Sequence, residues 1–199
     1  MFEHKNIENL STEEQFRIIL DEREITNVIN RYARAASRGD FDLFKSCFFD
    51  DAMDHHAPSF EGKIIDFYET FREAADKVAE SGQYYMCNLL IDLDGDVAHT
   101  ECQAFSPKIL HQRSYNGDKV MRIAGSRYLH RFERRDRQWR IAECWWVYEW
   151  SFYKEVPPQL QAIGPFAAPA DMRLTPLTSR RDREDISYRF KAMGKPAAE

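Results

Sequence analysis

The sequence predicts an α+β fold in which N-terminal helices close a curved, mostly antiparallel sheet around a pocket. Between Ile25 and Ala36 the residues Ile25, Val28, Ile29, Tyr32 and Ala36 recur on one face at helical spacing, and Gly39 supplies the stop. From Tyr84 onward the pattern becomes that of strands, punctuated by turn signals at Asp94-Gly95, Asn116-Gly117 and around Asp136. Helices followed by an antiparallel meander is an α+β order, with the helices packed on one sheet face. A strongly curved sheet covered this way leaves a pocket at its open end, the default place for a ligand.

Ser11 followed by Glu14 is a capping box, so a helix starts at Thr12, and Asp21 can cap a fresh helix after a break. Asp40 caps a short helix that buries Phe41, Leu43, Phe44, Cys47 and Phe48. Asp51 to Ala57 reads as a strand, Pro58 with Gly62 marks a loop, and a third helix runs over Ile64 to Ala79. Strands follow over Tyr84–Ile91, Val97–Ile109, Val120–Glu133 and Gln138–Phe152. Prolines recur from Pro157 through Pro176, which predicts an extended arm over 157–199, with at most a short helix near Arg181–Phe190, after a barrel-like domain over 1–156.

At 199 residues such a domain is large enough to bury a core, and 43% hydrophobic with 31% charged residues is ordinary for a globular protein. A net charge of −5 argues against a nucleic-acid partner. The basic cluster Arg131, Arg134, Arg135 and Arg137 flanks a turn and reads as a solvated hairpin end. The start MFEHKNIENLSTEEQ lacks a signal-peptide core, and no run is long enough to span a membrane. Four scattered cysteines (Cys47, Cys87, Cys102, Cys144) read as free thiols of a reducing cytoplasm, the last three as small core residues of strands. No His/Glu spacing matches a zinc site, and glycine-rich phosphate loops and a Gly-x-Ser-x-Gly elbow are absent, so neither a metal nor a cofactor is expected.

Alternation assigns faces. In the strand from Val97, Ala98, Thr100, Cys102, Ala104 and Ser106 are small and form the inner row, while His99, Glu101 and Gln103 suit water. The same parity points Lys108 inward, unless Pro107 introduces a bulge and lets it snorkel to solvent. In the strand from Val120, hydrophobicity does not choose between the row of Arg122, Ser126, Tyr128 and His130 and the row of Met121, Ile123, Leu129 and Arg131. The last strand carries Trp146, Tyr148 and Trp150 on one face and Trp145 on the other, which suits a wall for a flat apolar ligand, a subunit interface or plain core filling. His55 and His56 are adjacent and point to opposite faces.

The Ile25–His56 segment, the Asp94-Gly95 turn and GSRYLHRFERRDRQWRI (Gly125–Ile141) resemble the SnoaL-like branch of the nuclear-transport-factor-two-like superfamily. That branch is similar to scytalone dehydratase, the hexachlorocyclohexane dehydrochlorinase, bile-acid dehydratase and polyketide cyclases. The resemblance is specific for fold and weak for reaction, because the fold hosts enzymes and non-catalytic subunits alike. It implies that the dehydratases' aspartate at the end of the first helix is Ser37 here, and their histidine on the first meander strand is Tyr84. The usual dyad is therefore missing. The resemblance further sets His55 where scytalone dehydratase has a strand tyrosine, Ser126 at a pocket serine, and Tyr128 at a pocket asparagine. Lys108 or His111 takes the place of a second pocket histidine.

The reading drawn from this assigns Lys108 and Tyr84 to proton transfer, with Tyr128 and His55 holding substrate oxygens. Tyr32, Ser37, His111, Arg122, Ser126, Trp145 and Trp146 form the substrate-binding wall. The implied function is a cofactor-independent lyase on an oxygenated, apolar, aromatic small molecule, by dehydration or by retro-aldol-like loss of formaldehyde as with lignin-derived diaryl compounds. A non-catalytic assembly subunit and an isomerase or cyclase are the alternatives. The family implies a homodimer or homotrimer.

Overall fold

The computed structural model describes residues 7–68, 72, 78–156 and 182–193. Helix α1 (Thr12–Arg38) starts on the capping box: the Glu14 N–H donates to Ser11 Oγ at 3.3 Å, and the Ser11 N–H donates to the Glu14 carboxylate at 2.9 Å. It ends at Gly39, whose φ of 64° is the left-handed stop that favours glycine. The helix does not break at Asp21. That side chain turns to the sheet instead, accepting from Arg134 Nη1 at 2.8 and 2.9 Å and from Trp139 Nε1 at 2.8 Å. A carboxylate engaged there caps nothing, and the helix continues beneath it.

Helix α2 (Phe41–Lys45) is capped by Asp40, whose Oδ1 accepts from the Leu43 N–H at 3.1 Å. Seven strands follow: β1 (Phe48–His56), β2 (Phe60–Lys63), β3 (Ala79–Gly82), β4 (Tyr85–Asp94), β5 (Val97–Arg113), β6 (Lys119–Arg135) and β7 (Gln138–Val156). They form one sheet in the order β2-β1-β7-β6-β5-β3, and β4 shares with β3 the far side of β5. The β1–β7 pair is parallel and the others antiparallel. The β6–β7 hairpin turns on Asp136 and Arg137, with φ of 48° and 64°, the two left-handed residues of a tight hairpin whose twist matches its strands.

Several expectations shift. The helix expected from Ile64 is described over 64–68 and at 72 and 78, Ala79 already belongs to β3, and 69–71 and 73–77 lie outside the described residues. The arm over 157–181 also lies outside them, whereas α3 (Ile186–Met193) is the short C-terminal helix. Cys102 and Cys144 are buried, but Cys87 is exposed. An irregularity at Asn88 (φ 51°) reverses the parity of β4, so Met86 and Leu89 face the core in its place. The hairpin arginines are paired rather than merely solvated: Arg131 with Glu133 and Glu143, Arg134 with Asp21 and Asp96, Arg135 with Asp51 and Glu133.

The apolar stripe of α1 lies on the concave sheet face. Ile25, Val28, Ile29, Tyr32 and Ala35 pack with Phe44, Phe48, Cys102, Tyr128, Phe132, Ile141 and Cys144. From the other side of the chain, α3 returns to the α1–α2 corner. Tyr188 Oη donates to Asp40 Oδ2 at 2.6 Å, and Arg34 donates to Ser187 Oγ at 3.2 Å.

Candidate active site

The floor of the concave face is a ladder of facing inner residues on β5 and β6: Thr100 opposite His130, Cys102 opposite Tyr128, Ala104 opposite Ser126, Ser106 opposite Ala124 and Lys108 opposite Arg122. Its register is unbroken through Pro107, which faces Ile123, and the first shift comes after Leu110. The Pro107 carbonyl accepts from the Gln83 N–H at 3.0 Å, on the side away from β6. In an antiparallel strand a residue's nitrogen and carbonyl face the same neighbour, so the missing N–H of Pro107 costs the β6 ladder nothing. No bulge forms, and Lys108 stays in the inner row.

Lys108 Nζ donates to Tyr84 Oη at 2.7 Å and lies 4.8 Å from that ring's centroid. The Tyr84 N–H donates to Ser37 Oγ at 2.9 Å, and Ser37 in turn donates to the Ala33 carbonyl at 2.8 Å. The end of α1, the β3–β4 link and β5 thus meet at three side chains. Ser37 and Tyr84, the positions at which the resemblance implies a dehydratase dyad, touch here and offer a hydroxyl and a phenol backed by an ammonium.

A second group enters from β1. Ala52 and Asp54 are buried at 1% exposure each, so Ala52, Asp54 and His56 share the inner face, and Met53 and His55 lie on the other. Asp54 Oδ1 is 2.6 Å from His56 Nδ1. This carboxylate favours a ring proton on Nδ1, facing it. Nε2 is 3.5 Å from Tyr128 Oη. The imidazole is stacked between Trp146, with centroids 5.3 Å apart and planes at 6°, and Phe67, at 5.5 Å and 22°.

Tyr128 is buried against Tyr32, with ring centroids 5.7 Å apart. Burial holds the Tyr128 hydroxyl well above the usual phenol range, and the next largest contribution comes from Tyr84, which joins the two groups in one electrostatic neighbourhood. Tyr32 is raised likewise, by burial and then by Tyr128. Both remain phenols at neutral pH and act as donors. One row deeper, His130 bonds Thr100 at 2.9 Å, its Nε2 has no partner, and burial with His56 nearby pushes its value down to about 3. It is a neutral ring of the core.

The structure brings together Tyr84, Lys108, Ser37, Tyr128, Tyr32, Ser126 and Trp146 on the concave side, with Arg122 in the same inner row. Three expected residues are elsewhere. His55 sits on the outer face of β1, 3.3 Å from Glu61 and 3.4 Å from Glu143, and stacks on Trp145 at 3.8 Å. Trp145 is accordingly an outer, exposed residue. His111 falls in the irregular stretch after Leu110 and is exposed, which leaves Lys108 at the inner position. The residues missed are Asp54 and His56. Their signal was the alternation itself: Ala52 anchors the inner parity of β1, and both fall on it. A one-residue offset turns every side chain to the opposite face.

Among the described residues no cluster of three or more His, Cys, Asp or Glu is placed to hold a metal ion, and no helix is long and apolar enough to cross a membrane. An open groove outside the cone, lined by residues such as Glu24, Asn27, Arg31 and Arg140, carries none of the groups above.

The fold and this concave site define a cone-shaped α+β protein with a buried acid–base lining. The chain belongs to the SnoaL-like domain family, which matches residues 17–144. Solved structures share the fold. A protein of Novosphingobium aromaticivorans DSM 12444, provisionally named a scytalone dehydratase, aligns with a TM-score of 0.61 at 15% identity, covering 70% of this chain and 91% of that one. The hexachlorocyclohexane dehydrochlorinase LinA-type3 of Novosphingobium barchaimii LL02 aligns with a TM-score of 0.62 at 13% identity, covering 72% and 99%. The Kfla4162 protein of Kribbella flavida gives a TM-score of 0.60 at 15% identity, covering 68% and 95%. No curated protein matches in sequence.

Proposed function

We propose that this chain is a cofactor-independent lyase acting on an oxygenated, largely apolar, aromatic small molecule. The observation that carries the reading is the 2.7 Å bond from the Lys108 ammonium to the Tyr84 phenol oxygen on the inner face of the cone. An ammonium so placed stabilises the phenolate formed when Tyr84 gives up its proton, and that phenolate is the base that takes the substrate's proton. Tyr128, held as a phenol, donates to a substrate oxygen, and the Trp146 indole offers a flat face to a ring.

Two reactions use these groups. In dehydration, a base takes a proton from carbon, the electron pair forms a double bond, and the departing hydroxyl is protonated and leaves as water. In the retro-aldol-like route, the base takes a hydroxyl proton, the carbon–carbon bond breaks to release formaldehyde, and the electron pair expels a neighbouring hydroxyl as water or collects a proton. The second suits a tyrosine–lysine pair better, because a hydroxyl proton is far more acidic than one on carbon. Lignin-derived diaryl diols meet its requirements. One structural neighbour, the LinA-type3 protein, is named a hexachlorocyclohexane dehydrochlorinase, and loss of hydrogen chloride is an elimination of the same broad kind.

The test is incubation with a panel of diaryl diols, with formaldehyde measured directly and products weighed by mass spectrometry. Formaldehyde identifies carbon–carbon cleavage, and loss of water alone identifies dehydration. A product of unchanged mass would favour isomerisation or cyclisation. A complete lack of turnover, with a partner subunit copurifying, would favour the non-catalytic role that the replaced dyad at Ser37 and Tyr84 also allows.

A further inference from the structure

The strands that floor the site carry eight lysines and arginines: Lys108, Arg113, Lys119, Arg122, Arg127, Arg131, Arg134 and Arg135. Six of them have carboxylate partners. Arg113 and Lys119 share Glu80, Arg127 takes Glu101 and Glu149, and the last three are paired as described above. Among the described residues Lys108 and Arg122 have none, and Lys108 has only the Tyr84 phenol. These two face each other directly across the β5–β6 ladder.

Like charges directly opposed on a sheet face repel, and half-buried cations have lost part of their hydration. Among the described residues the buried carboxylate of the inner face, Asp54, is engaged by His56 and does not offset this. The neighbouring acid at that end, Glu80, is already shared by two other cations. Between the cation pair and the Tyr128–Trp146–His56 wall, the floor is Ser106, Ala124, Ala104 and Ser126, none with a side chain longer than a hydroxymethyl group. From Arg122 to Ser126 this floor extends about 14 Å at the ordinary strand rise.

We infer that Lys108 and Arg122 form the anion end of the substrate site, and that the substrate is an aromatic compound bearing a carboxylate. Its ring lies toward Trp146 and Tyr128, and its carboxylate completes the pair. A guanidinium presents two parallel N–H donors to a carboxylate, and the adjacent ammonium adds a point charge, so the carboxylate supplies the acceptor that this end of the sheet lacks. The inference rests on reading the concave face as the substrate site, and not on which bond the enzyme breaks.

The test compares two probes of one skeleton, cinnamate and cinnamyl alcohol, by isothermal titration with the full chain. Cinnamate is expected to bind at least tenfold more tightly, with an affinity that weakens as salt is raised. Arg122→Gln should abolish the preference, and Arg122→Lys should retain part of it, which separates lost charge from lost fold. Equal affinity for the two probes, no binding of cinnamate at millimolar concentration, or a preference that survives in the Arg122→Gln, Lys108→Gln double variant would each overturn the inference. Binding is read without turnover. A pocket that prefers cinnamate but turns over no diaryl diol, whether neutral or carrying a carboxylate, contradicts the lyase, whereas turnover of neutral diols without that preference contradicts only the anion site.

Discussion

At Asp54, His56 and Tyr128 a carboxylate, an imidazole and a phenol stand in line under the helices, and each constrains the next. His130 lies one row deeper and is held neutral by burial, from an ordinary value near 6.5 to about 3. The unfolded chain therefore takes up a proton there before the folded chain does. The stability this histidine contributes is fully present above about pH 6.5 and declines as pH falls toward about 3. Urea unfolding at pH 7 and pH 4.5 should show a loss of about 2 kcal/mol in the native chain that is absent from His130→Gln, beyond what both share through their carboxylates. An identical pH dependence in the two would contradict this.

Much of this lining was legible residue by residue. The small row Ala98 to Ser106 identified the inner face of β5 and carried Lys108 with it. The same parity, applied to β1 from Ala52, selects His56, but alignment by resemblance favours its neighbour, and one residue is enough to exchange inside for outside. The faces of β6 were not legible, because Arg122 and His130 make its inner row as polar as its outer one. Register against β5 decides what hydrophobicity does not.

At the scale of elements, long-range partners override local signals. Asp21 has the chemistry of a helix cap, yet Arg134 and Trp139 claim it from more than a hundred residues away, and α1 runs on unbroken. No local pattern contains that information. Gly125 shows the same dependence. The Trp150 indole crosses the outer face of β6 directly over it, and a Cβ built there would lie 2.4 Å from the ring. Gly125→Ala is expected to displace the indole and cost about 1–3 kcal/mol, as overpacking does. Combining it with Trp150→Ala should remove most of that penalty. A double variant that loses the sum of both single effects would show that the two positions do not interact.

For the molecule as a whole, the C-terminal helix ties the chain's end to the corner that carries Ser37. Asp40 accepts from the Leu43 backbone, from Arg183 at 3.1 Å and from Tyr188 at 2.6 Å, so one buried carboxylate holds α1, α2 and α3 together. Burial and that bond push the Tyr188 hydroxyl up to about 12. Tyr188→Phe should lower the unfolding free energy by about 1 kcal/mol in a urea titration, with the fold retained. A helix near this position was expected from the sequence, but its docking on Asp40 was not, since nothing local marks that residue as anything beyond a cap.

The central claim is that the Lys108–Tyr84 pair performs the proton transfer. Its most direct test is the initial rate of formaldehyde release or water loss from the best diaryl diol, in the native chain and in the Lys108→Ala, Tyr84→Phe double variant. The two must share circular dichroism spectra and melting temperature. The account predicts a fall in rate of at least about 10²-fold, the scale of a lost general acid–base group. Full activity in the double variant would contradict it.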